Sequence, residues 1–398
     1  MKLLCALADF PVPANNGHRL RNWAILQALA AEGHEISLLA FAPLGEPSPS
    51  AAATVGEVCR EVSCVPLVLP KVSVVRECAQ AFRALFSPVP YSVLRFRSAQ
   101  YRSQLCTLLK SRRFDAVLCE TCYPLVNLPE HLEVPLILDN HNIEHVVVKR
   151  YRRYERNPAK RAYAELEWRK LRNWERRAWK RAAHVLLCSE HDRADCLRLS
   201  AAPRTSVVPN VVDVEQYRPE ASGDGATILY TGGMDWFPNR DAVSFFAFQV
   251  MPGIRKRFPR VRFVVAGRAP DPSFRLLFKD VDVSFTGTLP DMRAAFAQAA
   301  VCVVPLRIGS GTRLKILEAA AMGKAIVSSR IGAEGLDFVS GSEILLADTA
   351  REFEGAVSKL FADAACRSSL GRSARRRVES LYSHLAMRVA IRSVLKSL

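Results

Sequence analysis

The sequence predicts an α/β protein of two doubly wound, Rossmann-like domains facing a cleft. Three observations carry that prediction. Short apolar runs alternate with helix-spaced segments in two successive series along the 398 residues. Glycine-bearing turns follow several of those runs. The composition, 49% hydrophobic and 24% charged, supplies sizeable cores and excludes a disordered chain.

Residues 2–8 read as a first strand, because the run is too short for a signal-peptide core and meets Asp9 directly. A loop with Pro11, Pro13, Asn16 and Gly17 follows. Leu20, Trp23, Leu26 and Ala30 then recur at helical spacing up to Gly33. Further strands are expected at 35–41, 116–119, 135–138 and 185–188, with helical patterns between them. A second series begins near Pro209, with strands at 227–230, 261–266, 283–285, 301–304, 325–328 and 344–346. Helices are expected at 241–258, 292–299 and 314–322. Such alternation builds parallel sheets covered on both faces, whose ligands lie outside the carboxyl ends of the strands. The expected domains are 1–205 and 206–375, joined around residues 203–219.

No apolar run approaches the roughly 20 residues that span a bilayer. Eleven cysteines are scattered singly, and the lone close pair, Cys119 and Cys122, has no second pair to complete a zinc site. Two thiols at the end of a buried strand account for it, and a cytoplasmic, reduced protein is expected. The net charge of +17 is concentrated: residues 149–181 hold 14 Lys or Arg against 4 Glu. Within that segment Ala164, Trp168, Leu171, Trp174, Ala178 and Ala182 form one helical stripe, so the bland reading is a core-packed helix with a solvated basic face. The functional reading is contact with anionic lipid headgroups, each cation contributing about 1 kcal/mol, with Tyr151, Tyr154 and Trp179 at the interface. Residues 72–113, with Phe82, Leu85, Phe86 and Tyr91, are also basic and amphipathic. A location on the inner face of the cytoplasmic membrane follows. No nucleic-acid recognition module is visible.

The chemistry concentrates in Pro305-Leu-Arg-Ile-Gly-Ser-Gly-Thr-Arg-Leu-Lys-Ile-Leu-Glu318 and the Ala-rich turn after it. A strand ends at Pro305, Gly309 and Gly311 permit close backbone approach, and a helix is expected from about Thr312. Amides of a first helical turn, with the helix dipole and with Arg313 and Lys315, suit a diphosphate. Glu318, two turns into the helix, could accept both hydroxyls of a ribose. A glycine pair before a helix is common, however. The dinucleotide fingerprint lacks its third glycine here, and Gly323-Lys324 is followed by Ala325 where a P-loop needs Ser or Thr.

The string from Ser310 to Gly323 resembles the donor loop and helix of family 4 glycosyltransferases of GT-B fold. In that family two glutamates precede the Ala-rich turn. Glu318 matches the second, which grips the ribose, and Ser310 stands at the first. The form Gly-Ser-Gly-Thr-Arg-Leu-Lys is typical of one branch, associated with exopolysaccharide and exosortase (PEP-CTERM) systems. There, amides near Gly311, Thr312 and Leu314 would do part of the missing carboxylate's work. The resemblance extends to Tyr230-Thr-Gly-Gly-Met-Asp-Trp-Phe-Pro-Asn239, where Gly232 and Gly233 would let the backbone approach the phosphates. It covers Val265-Ala-Gly-Arg268, bordering the base at Arg268, with Phe285-Thr-Gly-Thr-Leu-Pro-Asp291, Ile331-Gly-Ala-Glu-Gly-Leu336 and the linker Val208-Pro-Asn-Val-Val-Asp213. In the N-terminal half Asn16-Gly17 stands at the family's phosphate-facing loop, and Asp139-Asn-His-Asn-Ile-Glu144 at the segment whose histidine, His141, contacts the donor sugar. Singly, His141 reads as a core histidine, Asn16-Gly17 as a turn and Arg268 as a surface charge.

The resemblance implies a retaining sugar transfer from a UDP- or GDP-linked donor, an N-terminal acceptor domain, and a helix at 376–398 packing back on it. His141, Glu318, Arg313 and Lys315 would be the catalytic set. A glycan or polyprenyl-linked acceptor would suit the basic N-terminal half. No metal is expected: the one D-x-D, Asp280 to Asp282, enters a strand, and cations with amides can stabilise a leaving diphosphate. No nucleophilic carboxylate is identifiable, so retention rests on the family alone. Two rivals stay open: another GT-B activity such as a nucleotide-sugar epimerase, and a non-catalytic membrane-surface protein.

Overall fold

The computed structural model describes residues 1–67, 84–200, 204–220, 223 and 225–398. The chain divides into two compact units, Met1–Asn210 with His384–Leu398, and Val211–Ser383.

The first unit is built on a parallel sheet of seven strands: β1 (Lys2–Leu7), β2 (Glu35–Ala42), β3 (Glu61–Pro66), β4 (Ala116–Glu120), β5 (Leu136–Asn140), β6 (His184–Leu187) and β7 (Arg204–Val207). Their order is β3-β2-β1-β4-β5-β6-β7. The central strands are continuous apolar runs because both faces are covered; every residue of β4 and β5 is buried. Helix Gly17–Ala31 starts where Asn16 accepts the Arg19 amide as its cap. Helix His384–Lys396 returns to this unit and packs along Gly17–Ala31, with Arg388 and Arg392 on Glu32.

The second unit holds six parallel strands: β8 (Thr227–Thr231), β9 (Arg262–Ala266), β10 (Val283–Phe285), β11 (Val301–Val304), β12 (Ala325–Ser328) and β13 (Leu345–Leu346). They are ordered β10-β9-β8-β11-β12-β13. Both sheets therefore reverse direction of growth once, between β1 and β4 and between β8 and β11. The crevice outside the carboxyl ends of the strands at such a reversal is where this architecture places ligands.

The boundary falls after Asn210 rather than after 205, because β7 pairs with β6 and keeps residues 204–207 in the first sheet. The return begins at His384 rather than at 376. Helix Ala364–Leu381 runs unbroken past residue 375 and buries Leu370, Ala374 and Val378 in the second core. The helix expected at 241–258 begins at Phe237 and contains a π-turn at Phe246–Val250 just before Pro252. Proline removes one amide donor and crowds the preceding turn, and a π-turn absorbs both. Helix Pro158–Arg181 buries Ala164, Leu171, Ala178 and Trp179. Trp179 is fully buried, so it belongs to the core and not to an interface. Among the described residues no helix is long and apolar enough to cross a membrane. Residues 72–83 of the basic stretch, Phe82 among them, lie outside the described residues, while Phe86 is exposed. Cys119 and Cys122 are buried free thiols, each pushed up by burial.

Candidate active site

In the second unit the glycine turns gather at the carboxyl edge of the sheet. Gly232 and Gly233 follow β8, Gly267 and Arg268 follow β9, and residues 309–313 follow β11. Gly267 has φ +134°, and a Cβ there would stand 2.5 Å from the Gly232 carbonyl oxygen. Gly232, at φ +148°, would meet Lys315 Nζ at 2.9 Å. Only glycine admits this approach at both positions.

Lys315 is the centre of a clasp. Its Nζ donates to the Tyr230 hydroxyl at 3.0 Å and to Asn239 Oδ1 at 3.3 Å, and lies 4.1 Å from the centroid of the Tyr230 ring. The Tyr230 hydroxyl donates to Asn239 Oδ1 at 2.6 Å, and Asn239 Nδ2 donates to the Gly233 carbonyl at 2.8 Å. Burial, reinforced by the charge of Arg313, brings the Lys315 ammonium down to about 7 against the pull of Glu318. One turn further along the helix, Glu318 is hydrogen-bonded to the Tyr217 hydroxyl. Burial pushes its carboxyl up to about 7, offset by Lys315 and by Tyr217. A half-buried cation and a half-buried carboxylate thus share one face of one helix at the sheet's reversal point.

The helix begins at Leu314, as its apolar pattern predicts, and not at Thr312. Gly311 at φ +76° and the extended backbone of Arg313, φ −99° and ψ 105°, delay it. The amides of Gly311 and Thr312 therefore sit in a loop, with Ser310 and Thr312 buried, rather than in a helical turn. Arg313 turns back on that loop and donates to the carbonyls of Ser310 and Gly311. Arg268 is exposed and paired with Asp235. Of the D-x-D, Asp280 is exposed and Asp282 accepts from Arg255.

In the first unit the reversal point carries a second cluster, which sequence reasoning located only at His141. Asn16 and Gly17 are exposed at the helix start, the Asn16 side chain being used as the cap. The adjacent His18 turns inward. Its Nδ1 lies 3.4 Å from Glu120 Oε1 and 3.1 Å from His141 Nδ1. His141 Nε2 stands 3.0 Å from Asp139 Oδ2, so the network assigns the Nε2 proton to that contact and leaves Nδ1 as an acceptor. Asp139 is clamped by Arg21, whose Nη1 also donates to Val208 O at 2.9 Å and Asn210 Oδ1 at 3.0 Å. The second oxygen of Glu120 accepts the Ala8 amide at 2.8 Å. Burial lowers His141 below the ordinary imidazole range, outweighing Asp139. Burial would lower His18 too, but its bond to Glu120 and the charges of Glu120, Glu144 and Asp9 raise it. For Glu120, burial acts upward and is overcome by the hydrogen bond from His18 and the charges of both histidines, leaving it below the usual carboxylate range.

The two halves match two family models: residues 16–216 the model for Glycosyltransferase Family 4, and residues 225–363 that for Glycosyl transferases group 1. A 44.6 kDa protein of the cps region of Klebsiella pneumoniae, itself uncharacterised, is 22% identical over 360 residues, 87% of each chain. The fold matches sucrose-phosphate synthase of Thermosynechococcus elongatus at a TM-score of 0.73 and 18% identity, over 100% of this chain and 99% of that one. It matches HepE of Anabaena in complex with UDP-glucose at 0.66 and 12%, over 100% of both. Two parallel-sheet units of GT-B type, a first model spanning half of the chain and a second spanning most of the remainder place this protein in glycosyltransferase family 4.

Proposed function

We propose that the protein transfers a sugar, with retention, from a UDP-linked donor to a lipid-linked glycan in the assembly of a bacterial surface polysaccharide. The observation that carries the donor half is the Lys315–Glu318 pair at the β8/β11 reversal. Glu318 accepts the two ribose hydroxyls, and Lys315, with the amides after Gly309, faces the diphosphate. Uridine is chosen over guanosine because HepE, of the same fold, binds UDP-glucose. The cps-region relative supports the polysaccharide setting.

The glycosidic bond to the donor phosphate breaks while the acceptor oxygen bonds to the same carbon. Negative charge grows on the β-phosphate, where Lys315 and Arg313 stabilise it, and a phosphate oxygen takes the acceptor's proton.

A thermal-shift screen of nucleoside diphosphates tests this reading. UDP at about a hundred times its Kd should raise stability by about 2.7 kcal/mol. A larger shift with GDP would exchange the base, and no shift with any diphosphate would overturn the donor site.

The exposed cations of helix Pro158–Arg181, among them Arg172, Arg176 and Lys180, suit an anionic membrane surface. Cosedimentation with anionic vesicles should be strong at low salt and fall as salt screens it. Equal binding to neutral vesicles would refute a charge-driven contact.

A further inference from the structure

We propose that His18, Glu120 and His141 bind one divalent transition-metal ion of the zinc class in the first unit. Their ligand atoms are mutually arranged as such an ion requires. His18 Nδ1 is 3.1 Å from His141 Nδ1, His18 Nδ1 is 3.4 Å from Glu120 Oε1, and His141 Nδ1 is 3.6 Å from Glu120 Oε1. Zinc bonds imidazole nitrogen and carboxylate oxygen at about 2.0–2.2 Å, which in a tetrahedron separates ligand atoms by about 3.3–3.5 Å. The three atoms are thus already one face of that tetrahedron. Two histidines and a glutamate form a common three-ligand zinc set, leaving a fourth position for water or another oxygen. The His18 side chain is 44% exposed while Glu120 and His141 are buried, so the ligand triangle is reachable from the His18 side.

The outer contacts match those of a metal centre. A metal-binding histidine usually gives its other ring N–H to a carboxylate, and His141 Nε2 meets Asp139. Asp139 is held in turn by Arg21, and Glu120 by the Ala8 amide, so two of the three ligands are fixed in orientation. In the metal-free protein the 3.1 Å contact between the two Nδ1 atoms is a hydrogen bond carrying one proton between two nitrogens. A metal ion would replace that proton, which leaves His18 Nδ1 for solvent.

The test uses the full chain without an affinity tag, stripped with chelator and titrated with Zn²⁺ or Co²⁺, no donor or acceptor present. Its outcome is therefore independent of the transfer reaction. One equivalent should bind, Co²⁺ should develop the visible absorption of a tetrahedral site, and excess Mg²⁺, which prefers oxygen ligands, should not compete. His18→Ala, at a half-exposed position, should keep the wild-type circular dichroism and weaken binding about a hundredfold or more. Absence of stoichiometric uptake, or uptake unchanged in a folded His18→Ala protein, would show a hydrogen-bonded proton cluster instead and overturn the proposal.

Discussion

Glu318→Gln is expected to lower kcat/KM for sugar transfer about a hundredfold or more while leaving the fold intact. A hydrogen bond to a charged acceptor contributes about 1.5–3 kcal/mol, and the ribose clamp uses this carboxylate for two. A loss of about 3 kcal/mol corresponds to a little over a hundredfold in rate. The fold survives because Glu318 is half-buried and its bonded partner within the unit is the Tyr217 hydroxyl, to which an amide oxygen also bonds. The pH dependence separates this role from general damage. Burial holds the carboxyl near about 7, so the ionised form that accepts hydroxyls grows as pH rises through that value. Wild-type donor affinity should therefore weaken on acidification below about 7, and the glutamine variant should lack that limb. Stability moves the other way. The folded protein keeps a proton that the unfolded chain has lost above 4.5, so this group's stabilising contribution is present below 4.5 and lost as pH rises through about 7. An unaltered pH profile in Glu318→Gln, or unchanged turnover, would remove the carboxylate from the donor site.

How much of this was legible before any fold was known depended on how local each signal is. Strands β11 and β12 coincide with their apolar runs, since a buried central or near-central strand must be apolar throughout, and the edge strand β10 coincides with its run although none of its residues is buried. Strands β3 and β7 escaped notice because they are edges: β3 buries only Val65, and no residue of β7 is buried. Lys315 and Glu318 stood out as charges on an otherwise apolar helix. Their supports did not, because Tyr230 and Asn239 read as a strand residue and a turn residue until the chain brings them to Lys315 across 85 and 76 positions. Glu120 had the same difficulty. Cys119 and Cys122 on either side of it form the more conspicuous pair, yet the carboxylate between them meets a histidine 102 residues away. The available signal was a charged side chain closing a wholly apolar strand, which costs too much to bury without a partner.

Lys315→Met should raise the melting temperature by several degrees while lowering transfer by at least as much as the Glu318 change. Methionine keeps the length and bulk of the side chain and can rest on the Tyr230 ring. What it removes is an ammonium that burial holds near about 7, far below 10.5, which means the fold pays to keep the proton there. The sign fixes the pH signature. Between about 7 and 10.5 the unfolded chain binds a proton that the folded protein does not, so wild-type stability climbs with pH across that window. The advantage of the methionine variant is accordingly greatest at and below about 7 and closes toward 10.5. A diphosphate reverses the balance, because two negative groups beside the ammonium restore its proton. Donor binding near pH 8 should then take up a proton in the wild type and none at this position in the variant, visible as a difference in calorimetric heat between buffers of unlike ionisation enthalpy. A side chain retained only for packing would show neither the pH-dependent gap nor the proton uptake. Destabilisation by methionine at pH 7 would mean that the Tyr230–Asn239 clasp is structural and that the lysine is not held at a cost for the donor.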